Sequence, residues 1–167
     1  MLEHPEYVCL NQFSNISNPK AHYYTTGREI INQMQNQIDY FVAAIGSGGT
    51  IMGVGKRLKE CIPNVKVIGV QPKECDLLNN IYKLHKIQAI AVGRVGDFVD
   101  FNLIDFMISV DFEEVQEIRA YLAKKQGLFL GISSGANVVA ALRLSNQVDN
   151  DKTIVTVAPD SGRSYLD

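Results

Sequence analysis

An apolar segment that runs directly into a glycine-rich turn constrains this chain more than any other feature. Residues 41–45 are apolar, residues 46–50 read Gly-Ser-Gly-Gly-Thr, and the apolar residues that follow recur at helical spacing. The pattern predicts a buried strand, a tight turn and a helix. Unpaired N–H groups and the positive end of the helix dipole suit the turn to an anion, usually a phosphate. A turn that joins strand to helix without any ligand is the alternative.

Two familiar phosphate motifs do not fit the spacing of this turn. A dinucleotide-binding G-x-G-x-x-G would need glycine where the chain has Ile51, and a P-loop that begins at Gly48 would need lysine where it has Val54. The spacing therefore disfavours a nucleotide-binding α/β domain. The glycines still allow the backbone to approach an anion closely, and the Ser47 and Thr50 hydroxyl groups can donate hydrogen bonds.

Strand-like and helix-like segments alternate from residue 39 to residue 158. This order predicts an α/β domain with an open, mainly parallel sheet covered by helices. The predicted strands are 39–44, 65–70, 106–110, 128–132 and 153–158, with a short candidate at 7–10. Helices are predicted at 27–37, at 112–126 with Asp111 as cap, after the two glycine-containing turns, and within 73–91; residues 11–19 are predicted to be irregular.

Three turns fall at the carboxyl edge of the predicted sheet, where such sheets bind their ligands. They are residues 46–50, 133–135 and 160–162, and each offers hydroxyl groups, backbone N–H groups or both. Because three turns converge on one edge, the sequence predicts a small anionic ligand there.

Composition argues against several classes of function. Of 167 residues, 46% are hydrophobic and the mean hydropathy is −0.01, as expected for one soluble globular domain. No apolar run reaches the ~18 residues of a membrane span. The first residues lack the features of a signal peptide, so we expect a cytoplasmic protein without a membrane partner. The net charge of −2 gives no reason to expect nucleic acid, and the three cysteines, without a C-x-x-C pattern, predict no metal site.

Five blocks of the sequence, in order, resemble the cysteine synthase and cystathionine β-synthase family of pyridoxal-phosphate enzymes. Residues 11–30 are similar to the family's Q-F-x-N-x-x-N-P…H…T-T-G-x-E-I stretch, and residues 45–50 to its phosphate loop, G-[ST]-G-G-T. Residues 85–88, 131–136 and 159–166 resemble later blocks. The resemblance covers essentially the whole chain. It implies the large-domain part of a tryptophan-synthase-β-like, fold type II architecture.

The resemblance also implies which residues bind ligands. Ser133 would hydrogen-bond the pyridine nitrogen of pyridoxal phosphate, and a neutral hydroxyl there leaves that nitrogen unprotonated, which suits β-elimination and replacement. Gln12 and Ala89 would lie at the substrate. From the residues alone, Ser133 as a helix cap and Gln12 as a loop anchor remain the alternatives. The cofactor phosphate would be held by Gly46, Ser47, Gly48, Gly49 and Thr50.

One stretch departs from the family pattern. Where the family usually has G-I-G-A-G-F, this chain has Ala-Ile-Ala-Val-Gly-Arg at residues 89–94. The extra methyl groups of Ala89 and Ala91 are expected to narrow the space at the substrate and the cofactor ring, and Arg94 adds a charge. The identity of the substrate is therefore left open.

A larger departure is an absence. The family's N-terminal half carries the Schiff-base lysine, in an N-P-x-x-S-x-K-D-R setting, and a substrate-carboxylate loop, T-S-G-N-T-G; neither pattern occurs here. No catalytic residue is therefore assigned, and the chain alone is expected to be inactive. Residues 1–167 are interpreted as one partial domain, in which 1–26 connects to the small domain that is missing.

These observations lead to one functional hypothesis and one alternative. The hypothesis is the C-terminal part of a pyridoxal-phosphate-dependent β-replacement enzyme of cysteine or sulfur amino-acid metabolism, acting on a small amino-acid substrate. Its expected partner is a second copy of the chain or a complementary N-terminal chain. Phosphate or sulfate is the ligand expected for the chain by itself. The alternative is a non-catalytic binding module that keeps the phosphate loop for an anion or a partner.

Overall fold

The computed structural model of the chain describes His4 and residues 6–165. Most of the opening residues that were inspected for a signal peptide, and the last residue of the 159–166 block, lie outside this range. The helices and strands are α1 (Ser17–Tyr24), α2 (Thr26–Met34), β1 (Tyr40–Ala44), α3 (Gly49–Cys61), β2 (Lys66–Pro72), β3 (Phe106–Val110), α4 (Phe112–Gln126), α5 (Ile132–Ser145) and β4 (Ile154–Thr156).

The predicted parallel sheet is confirmed. Within the described residues, its strands lie in the order β3-β2-β1-β4, and every neighbouring pair is parallel. Strand β1 is central, because Phe41 pairs with Val67 of β2 on one side and with Val155 of β4 on the other. The glycine turn, residues 46–50, therefore emerges in the middle of the carboxyl edge.

Helices cover both faces of the sheet. Phe41 and Ile45 pack into one apolar cluster with side chains of α2 and α3, whereas Val42 packs into a second cluster with side chains of α4 and α5. Successive side chains of a strand point to opposite faces, which accounts for this division. The sheet is doubly wound, as the resemblance implies.

Helix α4 begins and ends where its sequence predicts. Asp111 accepts a hydrogen bond from the Glu113 amide at 3.0 Å, and Glu114 accepts one from the Asp111 amide at 3.2 Å, which completes a capping box. The helix ends at Gly127, whose φ of +70° favours glycine. Since β3 ends one residue before Asp111, the cap also fixes where the chain leaves the sheet.

The predicted strand at 128–132 is wrong. Residues 128–130 lie outside the sheet, and helix α5 already begins at Ile132. The backbone groups of this segment pair with residues 160–162 instead: the Gly162 amide donates to the Phe129 carbonyl at 2.9 Å, and the Gly131 amide donates to the Asp160 carbonyl at 3.0 Å. The apolar residues of the segment reflect this antiparallel contact and not a fifth ladder in the sheet.

The predicted helix within 73–91 is also wrong, because turns and single bridges replace it. Leu77 is buried while Leu78 and Leu84 are exposed, so the apolar residues do not share one helical face. Two shorter predictions fail as well. Residues 7–10 form no strand, and helix α1 begins inside the 11–19 segment that was predicted to be irregular.

The described residues contain neither a candidate membrane span nor a candidate metal cluster. None of their helices has the length and apolar character needed to cross a membrane. Their histidine, cysteine and carboxylate side chains form no group of three that could hold a metal ion.

Candidate functional site

A cleft of about 360 Å³ lies beside the carboxyl end of β1. The glycine turn and the first turn of α5 both line it, together with Phe13, Ile90, Val92 and Asn137. All the residues that the sequence predicts for the site also line this one cleft, namely Gln12, Gly46, Ser47, Gly48, Gly49, Thr50, Ala89 and Ser133. Their grouping supports a shared site, while the role of each one stays a prediction.

The glycine turn has no room for a side chain at two of its positions. Gly48 has a φ of +90° and is the N-cap of α3, and a Cβ there would overlap the Val99 side chain. A Cβ on Gly46 would lie 2.6 Å from the Ala89 carbonyl oxygen. Glycine alone therefore allows this compact path. The first amide groups of α3 have no partner within the helix and belong to the wall of the cleft.

Ser47 is held by Asn18, a residue to which the sequence analysis gave no role. Asn18 Nδ2 donates to Ser47 Oγ at 3.0 Å and to the Gln12 carbonyl oxygen at 2.8 Å. The Gly49 amide donates to the same Ser47 oxygen at 3.4 Å. Because Ser47 Oγ accepts both bonds, its own proton remains for a ligand. The signs of Asn18 in the sequence are the turn-forming Asn-Pro pair and the family stretch that contains it.

Thr50 contacts a half-buried histidine of α1. His22 Nε2 lies 3.3 Å from Thr50 Oγ1, and His22 Nδ1 lies 3.1 Å from Thr26 Oγ1. Burial lowers the pKa of His22 from its ordinary value of 6.5. The imidazole is therefore neutral near pH 7, with one ring nitrogen a donor and the other an acceptor. This chain of contacts orients the Thr50 hydroxyl in the wall of the cleft.

Ser133 is held by Asp160. Ser133 Oγ donates to Asp160 Oδ1 at 3.4 Å, Ser134 Oγ donates to the same oxygen at 3.1 Å, and Tyr165 OH donates to Asp160 Oδ2 at 2.6 Å. The hydrogen bond to Asp160, with partial burial, raises the pKa of Tyr165 above its ordinary value of 10.0. Ser133 is not the helix cap, because Gly131 occupies that position. Asp160 thus joins the turn at 160–162 to the start of α5.

Asn137 is a second residue that the sequence analysis did not single out. Its Oδ1 accepts a hydrogen bond from the Ala44 amide at 2.7 Å, and its Nδ2 donates to the Val157 carbonyl at 2.8 Å. Strands β1 and β4 pair only as far as Val42 and Thr156. The buried amide therefore bridges the two strands where their own pairing stops, and it satisfies backbone groups beside the cleft.

The stretch at 89–94 has a backbone that favours glycine. Ala89 and Ala91 have φ values of +68° and +47°, which cost an alanine about 1–2 kcal/mol each. Ala89 lines the cleft, but Ala91 is only 4% exposed and packs into the core with Phe41. The expectation that the Ala91 methyl narrows the cleft is therefore wrong, because the strained backbone turns it into the core.

The lining of the cleft contains no charged side chain among the described residues. The N-terminal end of α3 favours an anion in the cleft, whereas the N-terminal end of α5 already lies against the Asp160 carboxylate. Such a site, at the carboxyl edge of a doubly wound parallel sheet and built from glycines and hydroxyl groups, has the features with which α/β proteins bind phosphate groups.

Comparison with known proteins narrows this class. The model of the family described as "Pyridoxal-phosphate dependent enzyme" matches residues 1–160, and the chain belongs to that family. It is 42% identical to a cysteine synthase of Aquifex aeolicus, over 98% of this chain and 50% of that protein. It is 37% identical to a cystathionine beta-synthase of Apis mellifera, over 98% of this chain and 34% of that protein.

A solved structure gives the same result. The O-acetyl serine sulfhydrylase isoform 3 of Entamoeba histolytica aligns with a TM-score of 0.91 at 36% identity, covering 99% of this chain and 50% of that one. The fold type II architecture implied by the sequence is therefore confirmed. The chain spans half or less of the length of these relatives.

The residues of the cleft fit pyridoxal phosphate, the cofactor of this family. The positions of Gly46 and Gly48 leave room that a Cβ would fill, and the hydroxyl groups of Ser47 and Thr50 line the same cleft. The described lining contains no carboxylate that would repel a phosphate. Ser133 adds one more hydroxyl group to the lining of the cleft, away from the glycine turn.

Proposed function

We propose that this chain is the C-terminal, phosphate-binding part of a pyridoxal-phosphate-dependent β-replacement enzyme of the cysteine synthase type. The observation that carries the proposal is the cleft, which gathers the glycine turn, Ser133 and Gln12 in a chain of this family. Relatives named cysteine synthase and cystathionine beta-synthase favour a small amino-acid substrate. They also favour a place in sulfur amino-acid metabolism.

The residues of this chain would bind and orient the cofactor. The amide and hydroxyl groups of the glycine turn would hold its phosphate. Ser133 would contact the ring nitrogen. Because Asp160 competes for the Ser133 hydroxyl proton, the hydrogen bond from Ser133 to that nitrogen would be weak. Gln12, which is exposed, would contact the substrate. When bound, pyridoxal phosphate withdraws electrons from the α-carbon of an amino acid.

The lysine that attaches the cofactor and moves the substrate proton would come from outside this sequence. No lysine is among the described residues that line the cleft, and the lysine motif of the family does not occur in the chain. We propose that a complementary N-terminal segment supplies this lysine, and that residues 1–26 lead from it into the domain.

The sheet offers an edge for such a partner. Strand β4 pairs with β1 and, within the described part of the chain, has no strand on its other side. An open edge favours association with another strand. We propose that a complementary N-terminal chain, or a second copy in its absence, covers this region. Light scattering at tens of micromolar should show a dimer or larger assembly, and a uniform monomer would contradict the proposal.

The proposal is tested by titrating the isotope-labelled chain with inorganic phosphate and with pyridoxal phosphate. We expect amide shifts at Ser47, Gly49 and Thr50, with weak and salt-sensitive affinity that is similar for the two ligands. We also expect no β-replacement turnover and no visible absorption band of a lysine-bound cofactor. An absence of phosphate shifts at the turn, or turnover with a reducible adduct at one lysine, would overturn it.

A further inference from the structure

The second substrate of the proposed reaction would enter a cleft whose described lining has no charged side chain. Arg94 lies next to this lining without forming part of it. Its guanidinium carbon is 4.5 Å from the centre of the Phe13 ring, and Phe13 lines the cleft together with Val92, two residues before Arg94. Stacking on an aromatic face restrains the planar guanidinium beside the cleft.

The charge of Arg94 is not neutralised by a carboxylate among the described residues. Their ion pairs within 4.0 Å do not include Arg94, although its side chain is exposed. The nearby Asp97 donates its amide to the Phe13 carbonyl at 2.7 Å, but its carboxylate forms no ion pair with Arg94. The guanidinium therefore keeps its donors for a ligand that comes from solvent.

We propose that Arg94 recognises a negatively charged group on the second substrate, either a carboxylate attached to the attacking thiol or a sulfur oxyanion. The guanidinium fork matches the two oxygens of such groups, which an ammonium or amide does not. The glycine turn already accounts for the cofactor phosphate, so the outer cation serves a different anion. A cation beside an uncharged cleft also raises the rate at which anions enter it. The inference rests on the proposed function, because only a replacement reaction has a second substrate.

The test compares sulfur compounds that differ in charge, with the 167-residue chain. Mercaptoacetate, thiosulfate and neutral 2-mercaptoethanol are titrated at constant ionic strength. The amide signals of Phe13 and Val92 report binding beside Arg94, and those of Gly49 and Thr50 report separately any binding of the same anions at the glycine turn. We expect at least one charged probe to bind about three- to fivefold more tightly than 2-mercaptoethanol, the range of an exposed charge pair. Tighter binding of mercaptoacetate would assign a carboxylate thiol, and tighter binding of thiosulfate a sulfur oxyanion.

Three variants separate the role of Arg94 from general charge effects. At the Phe13 and Val92 amides, Arg94→Gln should bring the affinities for charged and neutral probes within twofold of each other, and Arg94→Lys should keep part of the preference. Arg28→Gln, which removes an exposed charge on α2 instead, should leave the preference unchanged. An Arg94→Gln variant that still prefers the charged probe overturns the inference, as does a wild-type chain with no preference.

The same titrations distinguish this inference from the proposed function. Phosphate shifts at Gly49 and Thr50 report the glycine turn and should be the same in wild type and Arg94→Gln. A chain that responds to phosphate but shows no thiol preference loses only the inference. A chain without any phosphate response loses the proposed function, whatever the thiols do.

Discussion

The two turns that line the cleft reach their positions by different means. The glycine turn follows central strand β1, and its path depends on the missing Cβ atoms of Gly46 and Gly48. The first turn of α5 follows no strand of the sheet, and its position depends on hydrogen bonds from Ser133 and Ser134 to Asp160. The backbone therefore fixes the position of the glycine turn, and side-chain hydrogen bonds fix the position of the first turn of α5. They should therefore fail under different substitutions.

The largest effect is expected when a side chain is added to the backbone-limited turn. Gly48→Val should destabilise the protein by about 3 kcal/mol and abolish phosphate binding, because a β-branched residue resists a φ of +90° and would overlap Val99. Urea unfolding and amide shifts measure the two effects.

A matched control separates overlap from backbone strain. Gly93 has a φ of +93°, and an added Cβ there meets nothing within 4 Å. Gly93→Val should therefore show only the cost of the backbone. Equal losses of stability in the two variants would mean that the contact with Val99 does not matter.

The next largest effect is expected at Asn137, whose side chain bridges β1 and the residue after β4 beside the cleft. Asn137→Ala should lower the free energy of unfolding by about 2 kcal/mol, because it removes a buried side chain that pairs with the partly buried Ala44 amide and Val157 carbonyl. Asn146→Ala, at the exposed C-terminal end of the same helix, is the control and should change stability by less than about 0.5 kcal/mol. Similar losses from both variants would show that the Asn137 bridge contributes little.

The same comparison shows what the sequence can reveal. Residues 41–50 were interpreted correctly as a strand and a turn, because an uninterrupted apolar run and three glycines leave few alternatives. The strand at 106–110 and the Asp111 cap were equally local and are confirmed. The family blocks brought Gln12 and Ser133 to the same cleft although 121 residues separate them in the chain.

What the sequence could not reveal depends on partners distant in the chain. Residues 128–130 are apolar enough for a strand, but their backbone bonds go to residues 160–162, which no periodicity shows. The bridge made by Asn137 depends on where β1 and β4 separate. The left-handed backbone of Ala91 also hid the direction of its methyl group, since an alanine gives no local sign of a positive φ.

A smaller effect is expected at the turn held by side chains. Asp160→Asn should cost about 1 kcal/mol, because the carboxylate is only half buried. It should also lower the pKa of Tyr165 toward 10.0, since the hydrogen bond to Asp160 is the main cause of the raised value. A raised folded-state pKa stabilises the protein below pH 10 and loses that contribution as the pH rises further. NMR titration of the Tyr165 ring, with Asp97→Asn as control, measures this; an unchanged pKa would contradict the contact.

The hydroxyl part of the glycine turn should respond to acid. The pKa of His22 is lowered by burial, so the folded state favours the neutral ring. The contribution of neutral His22 to the stability of the folded protein is present above the ordinary pKa of 6.5. It is lost as the pH falls through the lower pKa of His22 in the folded state. Urea unfolding between pH 7 and pH 5 should show a modest decrease that His22→Gln reduces. If His4→Gln, at an exposed site, reduces it as much, the effect does not arise at Thr50.

The smallest expected effect is a gain of stability, and it concerns Ala89 in the lining of the cleft. Ala89→Gly relieves a φ of +68°, worth about 1–2 kcal/mol, but the greater freedom of glycine in the unfolded chain returns about 0.4–1 kcal/mol. A net gain of about 0.5 kcal/mol should remain, because Ala89 is exposed and little packing is lost.

Ala91→Gly is the matched variant for this last effect. It relieves a similar strain, with a φ of +47°, but it also removes the methyl group of a residue that is only 4% exposed, which costs about 0.8 kcal/mol. We therefore expect Ala91→Gly to be neutral or slightly destabilising, and only Ala89→Gly to raise the midpoint of urea unfolding. Two equal gains would show that backbone strain alone governs this stretch. A loss of stability in both variants would show that the positive φ values cost less than the extra conformational entropy of glycine in the unfolded chain. Unlike the glycine turn, the stretch would then tolerate side chains.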